Sequence, residues 1–131
     1  MASKAMSGPL LAPTPMSDGV RPSRGEVWLA SLNPLRGHEQ AGVRPVVVVS
    51  EDTFNHGPAG LMVIVPMTTT GRGILLHVLV NPPEGGLRRQ SVIKCEDICS
   101  ISLERLIEQW GRLSAATMAV VEDRLRILLQ L

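Results

Sequence analysis

Aromatic residues are nearly missing from this 131-residue chain: Trp28, Phe54 and Trp110 are the whole set, and there is no tyrosine. A nucleic-acid binder that stacks bases on aromatic platforms needs more of them, so one built on this chain must use arginine, histidine, loop backbone and shape. Cysteine is scarce too. Cys95 and Cys99 lack metal-ligand spacing and stand in an alternating apolar segment, where one strand face would carry both without letting them bridge. Buried free thiols are expected. No apolar run reaches membrane-spanning length, and Pro9, Pro13 and Pro15 interrupt the stretch where a signal peptide would need an unbroken apolar core. The expected location is the cytoplasm, with no membrane partner.

Charge imbalance is also lacking. A formal net charge of +1 and a pI near 7.9 are too mild to argue for polyanion binding by themselves. The kind of base is more telling, because eleven of the thirteen basic residues are arginine, which favours planar, bidentate partners such as phosphate. From Arg21 to Lys94 there are eight basic residues against five acidic ones; from Cys95 to Leu131 there are four against six.

What is present suits one folded domain. Hydrophobic residues make up 44% of the chain, enough for a modest core. Residues 1–22 are small, polar and Pro-rich, and are expected to form a flexible extension, either an arm or a stretch upstream of a working initiator at Met16. Residues 23–131 then form the domain. Strands are expected at 25–32, buried on both faces, at 45–50, at 61–67, at 75–80 and, longest, at 91–101. A helical turn capped by Ser50 follows the second strand, and Ser102 caps a short turn before a closing strand at 109–113. From Ser114 the spacing of Met118, Val121, Leu125 and Leu128 predicts a helix with one apolar face turned to the core. Short strands and one terminal helix suggest a small barrel or curled sheet with a helix packed on it.

Two loops concentrate the chemistry. The first carries Arg36, His38, Glu39, Gln40 and Arg44; the second begins Thr68-Thr69-Thr70-Gly71-Arg72. A carboxylate beside a guanidinium orients the fork and leaves donors free for phosphate, and hydroxyls at the end of a buried strand can donate to the same oxyanion. A solvated hairpin with a surface ion pair is the alternative that composition leaves open.

The series Arg24-Gly-Glu-Val-Trp28, Gly37-His-Glu-Gln-Ala-Gly-Val-Arg-Pro-Val-Val-Val-Val-Ser50, Val65-Pro-Met-Thr-Thr69 and Ser91-Val-Ile93 resembles the MazF/PemK family of toxin endoribonucleases of type II toxin–antitoxin systems. The resemblance spans about residues 24 to 131. It implies a mainly β, SH3-like small barrel of the MazF/CcdB kind with short helices and a C-terminal helix. It also implies a homodimer that cuts single-stranded RNA at short sequences without metal or cofactor, leaving a 2′,3′-cyclic phosphate and a 5′-hydroxyl. A cognate antitoxin would hold it inactive, and any contact with DNA would be through that antitoxin. The family's active-site arginine, threonine and loop glutamate fall on Arg44, Thr68 and Glu39. Because a guanidinium holds its proton tightly, Glu39 is assigned the base and Arg44 the electrostatic centre. Arg36, His38, Gln40, Thr69, Arg72 and Ser91 are expected to contact RNA, with Asp97 standing where many relatives carry Gln. Two rivals remain open: a CcdB-like gyrase inhibitor, whose Trp-Gly lies at its extreme carboxyl end, whereas Trp110-Gly111 is internal; and a family member that binds RNA or antitoxin without cutting.

Overall fold

Alternation of apolar side chains decides how this sheet is buried. The computed structural model describes residues 21–32, 42–71 and 73–131. Within them β1 (Glu26–Ser31), β2 (Val43–Val48) and β3 (Leu61–Thr68) pair antiparallel side by side. One face sends Val27, Val47, Val65 and Met67 into a core closed by the C-terminal helix; the other sends Trp28, Ala30, Val46, Val48 and Ile64 into a second core. Successive strand residues point to opposite faces, so strands apolar at nearly every position need both cores. The first strand is buried on both sides as the sequence predicts.

Four more strands complete a seven-stranded sheet: β4 (His77–Val80), β5 (Ser91–Lys94), β6 (Cys99–Ser102) and β7 (Leu106–Arg112), in the order β4-β5-β3-β2-β1-β7 with β6 also paired to β3. β3 is the hub. One edge takes β2, while β5 and β6 pair with its two halves. The single long strand expected over 91–101 is therefore broken. Between the pairs Met67↔Ile93 and Ile64↔Cys99 the second chain has more residues than β3 can match, and the excess coils into a 3-10 turn at Cys95–Asp97. Such an insertion bends a strand and re-aims its side chains. The two cysteines consequently do not share a strand face: Cys95 is fully buried in the first core and Cys99 is half-buried, both as free thiols.

Among the described residues no ladder joins the two ends of the sheet, which are brought together by packing instead. β4 and β7 end the strand order, and the connection from β4 to β5 packs on β7. Gly86, at φ +74°, presses on the Trp110 backbone so closely that a Cβ there would lie 2.7 Å from the Trp110 carbonyl carbon, and one on Gly111 would lie 2.7 Å from that of Gly85. Only glycine combines this φ with such an approach.

Helix α2 (Ala115–Leu129) lies on the first core through Met118 and Val121, with Leu125 partly buried beside them. Ser114 caps it by accepting from Thr117 N, and the Glu84 carboxylate accepts from Ser114 N at 2.9 Å. The Arg24 guanidinium bonds both the Val49 carbonyl and Glu122, tying the start of the sheet to the same helix. Ser102 caps its turn as expected, accepting from Glu104 N at 3.2 Å. Ser50 does not. Helix α1 (Asp52–Asn55) has Glu51 at its N-cap with no side-chain bond, because the Ser50 hydroxyl is engaged with β3, accepting from Val63 N at 2.9 Å, and with Asn55. No helix among the described residues is long and apolar enough to cross a membrane.

Candidate active site

Arg44 and Thr68 come from strands that the sheet makes neighbours. The β2–β3 ladder runs Val48↔Ile64, Val47↔Val65, Val46↔Pro66, and Arg44 and Thr68 each lie two residues beyond its last pair. Both alternate with residues of the second core, Arg44 with Val46 and Val48, Thr68 with Ile64, so both side chains belong to one face. Distance along the chain hides this; strand pairing supplies it.

Their surroundings differ in a useful way. Arg44 is half-buried, and its Nε is buried without a hydrogen-bond partner among the described residues. A charged donor left in that condition is costly, and an arriving oxyanion would satisfy it. Thr68 is 6% exposed. Its hydroxyl is held from one side by the next-but-one residue: Thr70 N donates to Thr68 Oγ1 at 3.2 Å, and the two hydroxyls lie 3.1 Å apart. Thr68 also pairs with Val92 of β5, so it stands where β3 meets β5.

The other expected residues divide into three groups. Thr69 is exposed beside Thr68. Ser91 begins β5 next to Val92, but it is 3% exposed and its hydroxyl donates to Arg89 O at 3.0 Å. Asp97 ends the 3-10 turn, and its Oδ2 lies 3.3 Å from Lys94 Nζ in a largely buried ion pair. Arg36, His38, Glu39, Gln40 and Arg72 lie outside the described residues. Arg88 and Arg89 add two adjacent exposed arginines in the connection just before β5.

An open cleft of about 290 Å³ lies elsewhere, between β4 and α2, lined by residues including His77, Leu79, Thr117, Val120 and Arg124. None of the site residues named above lines it, and His77 Nε2 there is bonded to Glu96 at 2.9 Å. The candidate site is instead a surface along strand ends, the form expected for a polymeric substrate rather than an enclosed small molecule.

Residues 23–129 match the family described as PemK-like, MazF-like toxin of type II toxin–antitoxin system. The chain belongs to that family. It is 36% identical over 113 residues to the endoribonuclease MazF9 of Mycobacterium tuberculosis, covering 82% of this chain and 96% of the relative. The crystal structure of MazF from Deinococcus radiodurans superposes with a TM-score of 0.77 at 29% identity, covering 86% of this chain and all of the other. A mycobacterial endoribonuclease in complex with its cognate antitoxin superposes with a TM-score of 0.71 at 26% identity over 84% of this chain and 96% of the other. Against this family background the internal Trp110-Gly111 has a structural reason. Gly111 admits the backbone of Gly85 and Gly86, and a full helix follows it, so nothing there presents a terminal Trp-Gly.

Proposed function

We propose that this chain is the toxin of a toxin–antitoxin pair: a sequence-specific endoribonuclease that cuts single-stranded RNA without metal at a site centred on Arg44 and Thr68. The observation that carries the reading is that adjacent strands bring those two residues to one face just past the end of their ladder, with a buried Nε on Arg44 that lacks a partner among the described residues, in a chain of the MazF/PemK family. The names of its relatives, endoribonucleases, one of them in complex with its cognate antitoxin, favour the same activity and the same partner here.

In this reading the RNA supplies its own nucleophile. The 2′-hydroxyl attacks the neighbouring phosphorus as Glu39 takes its proton, a 2′,3′-cyclic phosphate forms, and the leaving 5′-oxygen takes up a proton to end as a hydroxyl. Negative charge builds on the non-bridging oxygens in the transition state, and there Arg44 neutralises while Thr68 donates a hydrogen bond. Arg44 is not the proton carrier, since a guanidinium does not release its proton near neutral pH. Arg36, His38, Gln40, Thr69 and Arg72 contribute contacts to the RNA, Asp97 biases the base accepted, and Ser91 supports the turn that presents Arg88 and Arg89. The active form is a cytoplasmic homodimer of the domain 23–131, contacting DNA only through its antitoxin.

The test is incubation of the purified chain with a long single-stranded RNA in excess chelator, followed by mapping of the ends. Cuts at one recurring short sequence, with 2′,3′-cyclic phosphate and 5′-hydroxyl ends, are expected, and Arg44→Ala should abolish them with the oligomeric state unchanged. Intact RNA, or full activity in Arg44→Ala, would overturn the reading.

A further inference from the structure

We infer that Thr70 is a positioning residue for the Thr68 hydroxyl, fixing it as a hydrogen-bond donor to the scissile phosphate; the inference rests on the reading of Arg44 and Thr68 as the RNA-cutting site. A hydroxyl has one proton to give and two lone pairs to fill. Thr70 N already donates to Thr68 Oγ1 at 3.2 Å, and the Thr70 hydroxyl lies 3.1 Å from the same oxygen. When Thr70 O–H donates as well, both lone pairs of Thr68 are occupied and its proton is left to point away from Thr70. An anion at the site selects this arrangement, because only then does Thr68 present hydrogen rather than a lone pair. The chain Thr70 O–H to Thr68 O–H to phosphate oxygen also polarises along its length, strengthening the last bond.

The place of Thr70 is fixed by packing. Gly71 follows it against β5, where a Cβ would lie 2.7 Å from the Cβ of Val92, the residue that pairs with Thr68. The backbone after Thr70 therefore rests on the same strand that flanks Thr68. Charge on the phosphate oxygens is greater in the transition state than in the bound RNA, so losing this orientation lowers kcat more than it raises KM.

The experiment uses an RNA oligonucleotide carrying a site mapped with the wild-type protein, and compares Thr70→Val, Thr70→Ser, Thr68→Ala and the Thr68→Ala/Thr70→Val pair, each checked by thermal melting. Thr70→Val keeps the backbone donor and side-chain shape but loses the hydroxyl. It is expected to lower kcat about tenfold with KM within about twofold, while Thr70→Ser stays within about twofold of wild type. In the Thr68→Ala background Thr70→Val should have no further effect, as for two groups acting through one bond. Wild-type kcat in Thr70→Val, equal losses in the Val and Ser variants, or an undiminished Thr70→Val effect without Thr68 would overturn the inference and leave the site reading standing. A wild-type protein that leaves RNA uncut would overturn both.

Discussion

Lys94 Nζ stands 3.3 Å from Asp97 Oδ2, across the turn that interrupts the strand β5–β6. The pair is about three-quarters buried on both sides, with side chains 21% and 23% exposed, and it bears on the RNA contact proposed for Asp97. A lone carboxylate near a phosphate backbone repels it; one neutralised by Lys94 chiefly offers an acceptor to an exocyclic amine such as that of cytosine.

Replacing Asp97 therefore has two consequences. Asp97→Gln removes the acceptor charge and releases Lys94 to the RNA. The cut-site profile is expected to shift more than the overall rate, and RNA affinity to become steeper in salt by about one counterion. Sequencing of cut ends from a mixed RNA pool, with binding measured at several salt concentrations, reads both. An unchanged profile would remove Asp97 from base selection.

The closure of the sheet gives a stability prediction. Gly86 combines φ +74° with a Trp110 backbone too near for any Cβ, so Gly86→Ala must push β7 away from the β4–β5 connection. Strained φ and overpacking together are expected to cost about 3 kcal/mol, about 10 °C in melting temperature for a domain of this size. Gly42→Ala is the comparison. Gly42 also has positive φ, at +84°, but nothing among the described residues lies within 4 Å of a Cβ there, so the smaller conformational cost is expected. Equal losses in the two variants would show that the contact with Trp110 is not what closes the sheet.

The same particulars show what the chain discloses by itself. Strand positions and the terminal helix were legible because apolar periodicity is local: Val46 to Val49 and Met118 to Val121 declare their faces without reference to the rest of the chain. That β2 and β3 lie side by side and carry Arg44 and Thr68 on one face was legible only through the family resemblance, since strand pairing is a relation between distant segments. The break at Cys95–Asp97 was not legible, because alternation continues through it and the excess appears only when β5 and β6 are both laid on β3. Ser50 misled for a related reason. Its sequence context is that of a helix cap, and β3 offered the hydroxyl a competing donor at Val63.

Glu84 makes helix α2 sensitive to acid. Burial alone would raise its carboxyl, but hydrogen bonds from the Ser114 backbone N–H and from the side chains of Thr117 and Ser114 outweigh burial and hold it below its ordinary 4.5. A depressed folded-state pKa gives stability that is fully present above the unfolded value and is lost as pH falls through the folded one. Glu84→Gln is therefore expected to melt lower than wild type at pH 7, with the difference closing as pH is taken well below 4.5. A difference constant with pH would mean that the carboxylate charge contributes nothing at the helix N-terminus.

Cys95 sets the opposite limit, on the alkaline side. Burial is the main reason its thiol is pushed up from 9.0 to about 11; the neighbouring Glu96 charge adds to the rise, and Arg124 opposes it. A thiol that resists ionisation when folded but not when unfolded gives stability that is complete below pH 9.0 and declines as pH rises toward about 11. With no tyrosine and two lysines in the sequence, few other groups titrate in that window, so the decline should be readable. Urea midpoints from pH 8 to pH 11 are expected to fall more steeply for wild type than for Cys95→Ala, although the variant starts lower because it loses a fully buried side chain. Parallel slopes would place the alkaline sensitivity elsewhere. The same burial makes Cys95 slow toward thiol reagents at neutral pH, because the thiolate is the reactive form, and its modification should follow unfolding of the first core rather than reagent concentration.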